Sequence, residues 1–149
     1  MRAVIQRVSR ASVSVQGEEI GAIDKGLVVL AGFTDSDSDD VIRWMARKVL
    51  SLRIFEDPDG KMNLGLADVG GRILVVSQFT LYGDCRKGKR PGFDKSASPD
   101  VAEAMYDYFV EVLREEAPFE IETGVFQEHM EVSLINDGPV TLLLEKEAE

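Results

Sequence analysis

The sequence predicts a mixed α/β (α+β) single domain spanning residues 1–149, with a largely antiparallel or barrel-like sheet and two main helices. Three observations predict it. Short apolar runs with the period of strands, separated by turn residues, occur at both ends and in the middle of the chain. Two longer stretches carry apolar residues at helical spacing behind helix-start signals. The resulting order (strands, helix, strands, helix, strands) lacks the regular strand–helix alternation and the Gly-rich turn of a dinucleotide-binding fold, so no nucleotide cofactor is expected. A chain of 149 residues suits one domain and buries roughly 70% of its unfolded surface, enough to need neither disulfide nor metal.

The elements follow in order. Residues 3–8 and 12–16 are expected as short strands. In Ser12-Val13-Ser14-Val15-Gln16 apolar residues alternate with polar ones, as in a half-buried strand. Gly17-Glu18-Glu19 is a turn into a strand near 19–23. Leu27-Val28-Val29-Leu30-Ala31 is a continuous apolar run suited to a strand buried on both faces. The acidic run Asp35 to Asp40 supplies the cap and first turn of a helix over about 39–52, with Val41, Met45, Val49 and Leu52 on its inner face. It lacks the glycine and distant glutamate of a calcium loop, so no metal is expected there. Asp57-Pro58-Asp59-Gly60 is a turn. Gly70-Gly71 precedes a second buried strand, Ile73-Leu74-Val75-Val76. Ser98-Pro99-Asp100 opens the second helix, whose inner face is expected to carry Val101, Ala104, Met105, Tyr108 and Val112, and Pro118 stops it. Strands near 119–123, 131–136 and 140–145 close the chain.

Composition narrows the function. The net charge is −10, which opposes broad affinity for nucleic acid, because phosphate binding rests on Lys and Arg. One local exception exists: Arg86, Lys87, Lys89 and Arg90 place four cations in five residues. Such a run is commonly a solvated loop; beside an active site it could hold a phosphate-bearing ligand. No apolar run reaches the ~20 residues of a membrane helix. The N-terminus has the pattern of a first strand, and a cytoplasmic location is the expectation. The single cysteine, Cys85, excludes an intrachain disulfide. The single histidine, His129, sits in a polar stretch, so neither a Ser-His-Asp nor a Cys-His relay is visible.

Two polar motifs attached to apolar strands stand out. Ser77-Gln78-Phe79-Thr80 ends the run Ile73–Val76. Polar groups there cost desolvation unless they find partners, and backbone partners at a strand end would suffice. Asn136-Asp137-Gly138-Pro139-Val140-Thr141 lies between Ser133-Leu134-Ile135 and Leu142-Leu143-Leu144, and its composition is that of a hairpin turn.

In this order and spacing the two motifs resemble the hallmark motifs of the D-aminoacyl-tRNA deacylases. So do Gln6-Arg7-Val8-Ser9-Arg10-Ala11-Ser12-Val13, Arg53-Ile54-Phe55 through Gly60-Lys61-Met62-Asn63, Arg90-Pro91 with Phe93, and Ala97-Ser98-Pro99. The resemblance covers essentially the whole chain, and it is the combination in register that is specific. It implies the deacylase fold and a cytoplasmic homodimer with its active site at the interface. The implied reaction is hydrolysis of the ester between tRNA and a D-amino acid, or glycine mischarged on tRNA(Ala), with no cofactor.

The resemblance also implies roles. Ser77, Gln78, Phe79 and Thr80 form the catalytic segment, whose backbone would hold the reacting carbonyl and amino group. That suits an activated ester, which needs positioning and oxyanion stabilisation more than a strong nucleophile. Thr80 is either a nucleophile or a positioning residue. Gly138-Pro139, expected with a cis peptide bond, would enter the partner's site and reject L side chains by collision. Arg7 would hold that dipeptide, although an arginine on an exposed strand face is the ordinary alternative. Asn136, Thr141, Phe126 and Met130 are candidate substrate-binding residues, and Arg86, Lys87, Lys89 and Arg90 candidate tRNA contacts. Competing readings are synthetase-type editing of an L-aminoacyl-tRNA, a non-enzymatic nucleic-acid-binding role, and hydrolysis of free D-amino-acid esters or peptides. DNA and membrane partners are not expected.

Overall fold

A computed structural model describes residues 1–149. The chain opens with β1 (Arg2–Val15), which turns tightly into β2 (Glu18–Ile23). The turn residues Gln16 and Gly17 both have positive φ, 51° and 78°. Two consecutive left-handed residues give the turn a twist that matches the strands it joins. The alternation predicts two strands, 3–8 and 12–16, and a turn at 17–19. Instead the chain stays extended through the exposed Ser9 and Arg10, because β1 is paired along almost its whole length.

β3 (Gly26–Gly32) and β6 (Arg72–Ser77) are the two continuous apolar runs, and they pair in parallel. β7 (Ile121–Thr123) joins β6, also in parallel. β1 pairs antiparallel with β2, β3 and the last strand, β8 (Glu131–Glu145). The sheet order is β2-β1-β3-β6-β7 with β8 on the free side of β1. β2 curls back over β6 and β7, making the sheet barrel-like. A Cβ at Gly21 would stand 3.0 Å from the Thr123 carbonyl, so a glycine permits that approach.

Both faces of β3 and β6 are covered. Leu27, Val29, Ile73 and Val75 face the larger core, with Val41, Met45 and Val49 of α1 (Asp39–Ser51) and Phe109 and Leu113 of α3 (Pro99–Glu116). Val28, Leu74 and Val76 face a smaller core with Val8, Ala11, Val13 and Ile23. Each such side chain contributes roughly 1.5–3 kcal/mol of burial. Ser38 caps α1 by accepting from the Val41 N–H at 3.3 Å, as the acidic run predicts, and Leu52 lies just beyond the helix. In α3 the inner stripe is Ala102, Tyr106, Phe109, Val110, Val112 and Leu113. The stripe is displaced from the expected one: Val101 and Ala104 are exposed and Met105 and Tyr108 half-buried, because a helix this apolar has two overlapping stripes and the sheet selects the one with Phe109. The Tyr106 hydroxyl donates to the Val75 carbonyl at 3.1 Å.

Four small elements have no periodic signal in the sequence. β4 (Phe55–Glu56) and β5 (Met62–Leu64) form a hairpin on the Asp57–Gly60 turn. There Asp57 accepts from the N–H groups of Asp59 and Lys61, which hold its carboxyl below the usual range. α2 (Leu66–Val69) ends in a left-handed Gly70, and a 3₁₀ turn (Phe79–Tyr82) follows β6. A further surprise is Asp37, whose buried carboxylate accepts from the buried Met1 ammonium at 2.5 Å and from the Thr34 N–H at 2.9 Å.

The C-terminal hairpin expected at 136–141 is absent. β8 runs on as one strand against β1. Gln6 pairs with Thr141 and Val8 with Asn136, so one β1 residue, Arg7, faces the four residues 137–140, which bulge out. The register shifts again between Val8 and Arg10. Asn, Asp, Gly and Pro serve a bulge as well as a reversal, and the ladder with β1 on both sides decides between them. The bulge lies where the strand pair passes between cores. Ala3 and Ile5 of β1, with Leu142 and Leu144, pack in the larger core. Ala11 and Val13, with Leu134, pack in the smaller one.

Candidate active site

The end of β6 delivers Ser77 and Gln78 to the surface, and the 3₁₀ turn then bends the chain sharply. The Gln78 N–H is committed to the Ala31 carbonyl at 2.7 Å, continuing the β3–β6 ladder. The leading N–H groups of the turn, those of Phe79 and Thr80, have no carbonyl of the turn to bond. The Gln78 side-chain amide donates to the Thr80 hydroxyl, which orients both side chains. Phe79 is exposed and meets Phe93 edge to face, with ring centroids 5.2 Å apart. Ser96 Oγ donates to the Phe79 carbonyl at 3.0 Å, fastening the 93–98 segment to this turn.

These segments form one wall of a cleft of about 600 Å³. Ser77, Gln78, Phe79, Phe93 and Ser96 line it on one side, and Phe126, His129, Met130 and Val132 on the other. The sequence-predicted Phe126 and Met130 therefore do share a cavity with the Ser77–Phe79 motif. Phe126 is held by the Tyr106 ring, 6.0 Å away. Burial raises the Tyr106 phenol well above its ordinary pKa, leaving it a neutral donor to Val75. Thr80 is exposed and is tied to the cleft through Gln78. His129, unremarkable in the sequence, is on the exposed rim, and only its position in the fold reveals that. Gln127 beside it has φ 69°, an unusual conformation for a residue with a Cβ.

The second motif lies elsewhere. Gly138 and Pro139 are exposed, joined by a cis peptide bond, and do not line the cleft of their own chain. Arg7 is not on an exposed face: it is buried beneath the bulge, where Nε donates to the Asp137 carbonyl at 3.0 Å and Nη1 to the Ile54 carbonyl at 2.8 Å. The Asp137 carboxylate lies 3.3 Å from the same Nε. The Asn136 side chain spans the base of the bulge, donating to the Arg7 and Val140 carbonyls at 3.1 and 3.2 Å. Asn136 is thus committed to holding the loop shut, and Thr141 meets Gln6 at 3.5 Å; neither lines the cleft. The outer edge of β8 exposes Val132, Ile135 and Leu143, the last 67% accessible.

The family model described as D-Tyr-tRNA(Tyr) deacylase matches residues 4–145. The chain belongs to that family. Relatives named D-aminoacyl-tRNA deacylase include those of Chloroherpeton thalassium, 58% identical over 97% of this chain and 95% of its own, and Thermotoga petrophila, 57% identical over 97% of both. Among solved structures, that of a protein named c-Myc DNA Unwinding Element Binding Protein superimposes with a TM-score of 0.93 at 45% identity, covering 99% of this chain and all of its own. Another, of a probable eukaryotic D-amino acid tRNA deacylase, has a TM-score of 0.80 at 21% identity over 96% of this chain and 97% of its own, and attests the shared fold. The matched range, residues 4–145, spans both motifs and the segments that form the cleft. No helix is long and apolar enough to cross a membrane.

Proposed function

We propose that the chain hydrolyses the ester of D-aminoacyl-tRNA, releasing the D-amino acid and tRNA, and that it accepts glycine mischarged on tRNA(Ala). The observation that carries this reading is the cleft that joins the Ser77–Phe79 motif to Phe126 and Met130 in a chain of the deacylase family. The terminal adenosine would lie among Phe79, Phe93, Phe126 and Met130, whose rings and thioether suit a nucleobase. The ester carbonyl would face the Phe79 and Thr80 N–H groups, aimed where negative charge develops. Water attacks the carbonyl carbon, and the ribose oxygen leaves with a proton. Thr80 is assigned to positioning, because no base stands beside its hydroxyl to activate it.

Chirality would come from Gly138-Pro139 of a second copy. The dipeptide stands out on a bulge, away from its own cleft, and the β8 edge beside it is apolar and unpaired, which suits a homodimer that brings it to the partner's cleft. A main-chain wedge near the substrate α-carbon collides with an L side chain, leaves the D direction open and ignores glycine. The site of action would be the cytoplasm, with tRNA as partner. A DNA-binding role, suggested by the name of one structural neighbour, is disfavoured by the net charge of −10. The test is incubation with D- and L-tyrosyl-tRNA and measurement of ester survival: loss of the D ester alone is expected, and survival of both, or loss of the L ester, refutes the assignment.

A further inference from the structure

The loop that follows the 3₁₀ turn is a built structure and not a slack surface run. Asp84 and Gly92 exchange both backbone hydrogen bonds, at 2.7 and 2.9 Å, closing the loop at its neck. The Asp84 carboxylate then takes three bonds from Arg86: from the backbone N–H at 3.0 Å, from Nε at 2.9 Å and from Nη2 at 2.7 Å. A two-pronged guanidinium–carboxylate contact of this kind fixes direction as well as distance. It holds the Asp84 carboxyl well below the usual range, so the clasp stays charged through the physiological range.

Inside the clasped loop lies a concavity of about 320 Å³ with no apolar residue on its wall. Lys87, Arg90 and Lys95 line it, together with Arg86, Asp84 and Asp94. With Arg86 matched to Asp84, the rest of the wall carries three cations against the single carboxylate of Asp94, a local positive excess in a chain of net charge −10. The concavity adjoins the cleft through one short segment. Gly92, Asp94 and Lys95 line the polar concavity, while Phe93 and Ser96 line the cleft. Phe93 meets Phe79 edge to face, and Thr34 Oγ1 donates to the Lys95 carbonyl at 2.6 Å, so the segment is fixed at both ends.

We propose that this concavity is a phosphodiester subsite, in which Lys87, Arg90 and Lys95 hold the backbone of the unpaired nucleotides preceding the terminal adenosine of tRNA. Arg86 is a positioning residue that, with Asp84, shapes the loop. The inference rests on the deacylase reading for the identity of the polyanion. Three cations at one end of an aromatic cleft match a single strand whose last base enters the cleft and whose phosphates trail outside it.

The experiment compares the wild-type chain with K87Q/R90Q/K95Q, K87R/R90K/K95R and R86Q, all changed at exposed side chains. Uncharged tRNA binding is measured by filter retention over a range of salt, and turnover is measured on D-tyrosyl-tRNA and on 3′-O-(D-tyrosyl)adenosine, which lacks the upstream phosphates. In the glutamine triple variant the ratio of kcat/KM for tRNA over the adenosine ester falls tenfold or more, through KM. Its log–log salt slope for binding is shallower by about 2, at roughly 0.7 per phosphate contact on a single strand. The charge-conserving triple variant restores both, and R86Q keeps the wild-type slope. An unchanged slope and a ratio within twofold of wild type overturn the subsite. A slope loss in R86Q as large as in the triple variant overturns the clasp. Salt-dependent binding that needs the three cations, with no turnover of either ester by the wild type, supports the subsite and overturns the deacylase reading alone.

Discussion

Replacing Arg7 with lysine tests whether the bulge carries selectivity. The guanidinium serves two carbonyls on different segments, Asp137 on the bulge and Ile54 before β4, from a buried position. An ammonium keeps the charge but is a point donor and reaches one of the two. A hydrogen bond from a charged donor is worth about 1.5–3 kcal/mol, so R7K costs about 2 kcal/mol and R7A, which loses both bonds, about 4 kcal/mol. The nearby Asp137 carboxylate is half-exposed and adds little. In a chain of this length each kcal/mol moves the melting midpoint by roughly 2–4 °C, which places R7K about 6 °C below wild type. The assay is thermal unfolding followed by circular dichroism at one protein concentration, paired with the ratio of D- to L-tyrosyl-tRNA hydrolysis. If the loop is the chiral element, R7K also loses discrimination. A variant that melts within a degree of wild type refutes the energetic argument; one that melts lower yet keeps full discrimination refutes the link between Arg7 and selectivity.

Other expectations follow from the same geometry. On the proposed positioning role of its hydroxyl, Thr80→Val keeps more than a tenth of the wild-type kcat on D-tyrosyl-tRNA; an acyl-enzyme trapped on Thr80 by mass spectrometry contradicts this. Gly138→Ala folds normally, because a Cβ there meets only Asn136 atoms at 3.6 and 3.9 Å; if the dipeptide is the proposed wedge, the added bulk costs activity or chirality, as paired melting and hydrolysis measurements on the variant will read. Asp37→Asn leaves the buried Met1 ammonium without its counter-charge and costs about 3–5 kcal/mol in urea unfolding. Burial raises the phenols of Tyr82 and Tyr106 above the usual value near 10, so their contribution is complete below pH 10 and is lost as pH rises towards the raised values. The urea midpoint therefore drops as pH rises above 10, and Tyr106→Phe reduces that drop.

What the sequence made legible were the features written in short-range pattern. Ser38 before Val41, and Ser98-Pro99 before α3, are local chemistry, and both helices start where those residues put them. The continuous runs at β3 and β6 are apolar because both faces are covered, which also makes them the parallel strands. What stayed hidden depends on partners distant in sequence. Nothing in Asn136–Thr141 distinguishes a reversal from a bulge until β1, some 130 residues away, lies alongside. The burial of Arg7 follows from that same pairing, and that of Asp37 from the first residue of the chain. In the candidate site, Phe126 and Met130 reached the cleft with the Ser77–Phe79 motif, but Asn136 proved a brace and Arg86 a clasp partner, because side-chain commitments are set by tertiary neighbours.

The placement of the bulge has a consequence for how this architecture tolerates change. Residues 137–140 occupy the handover between two packed interiors, clamped on one flank by an amide and on the other by a guanidinium. Ladder pairs stand on either flank, Gln6 with Thr141 and Val8 with Asn136, so the alignment on each side has its own hydrogen bonds. The exposed tip, Gly138 and Pro139, can therefore change in chemistry while both interiors stay intact, because Val140 remains anchored in the larger one. In engineering terms it is a replaceable tool-head on a fixed shaft.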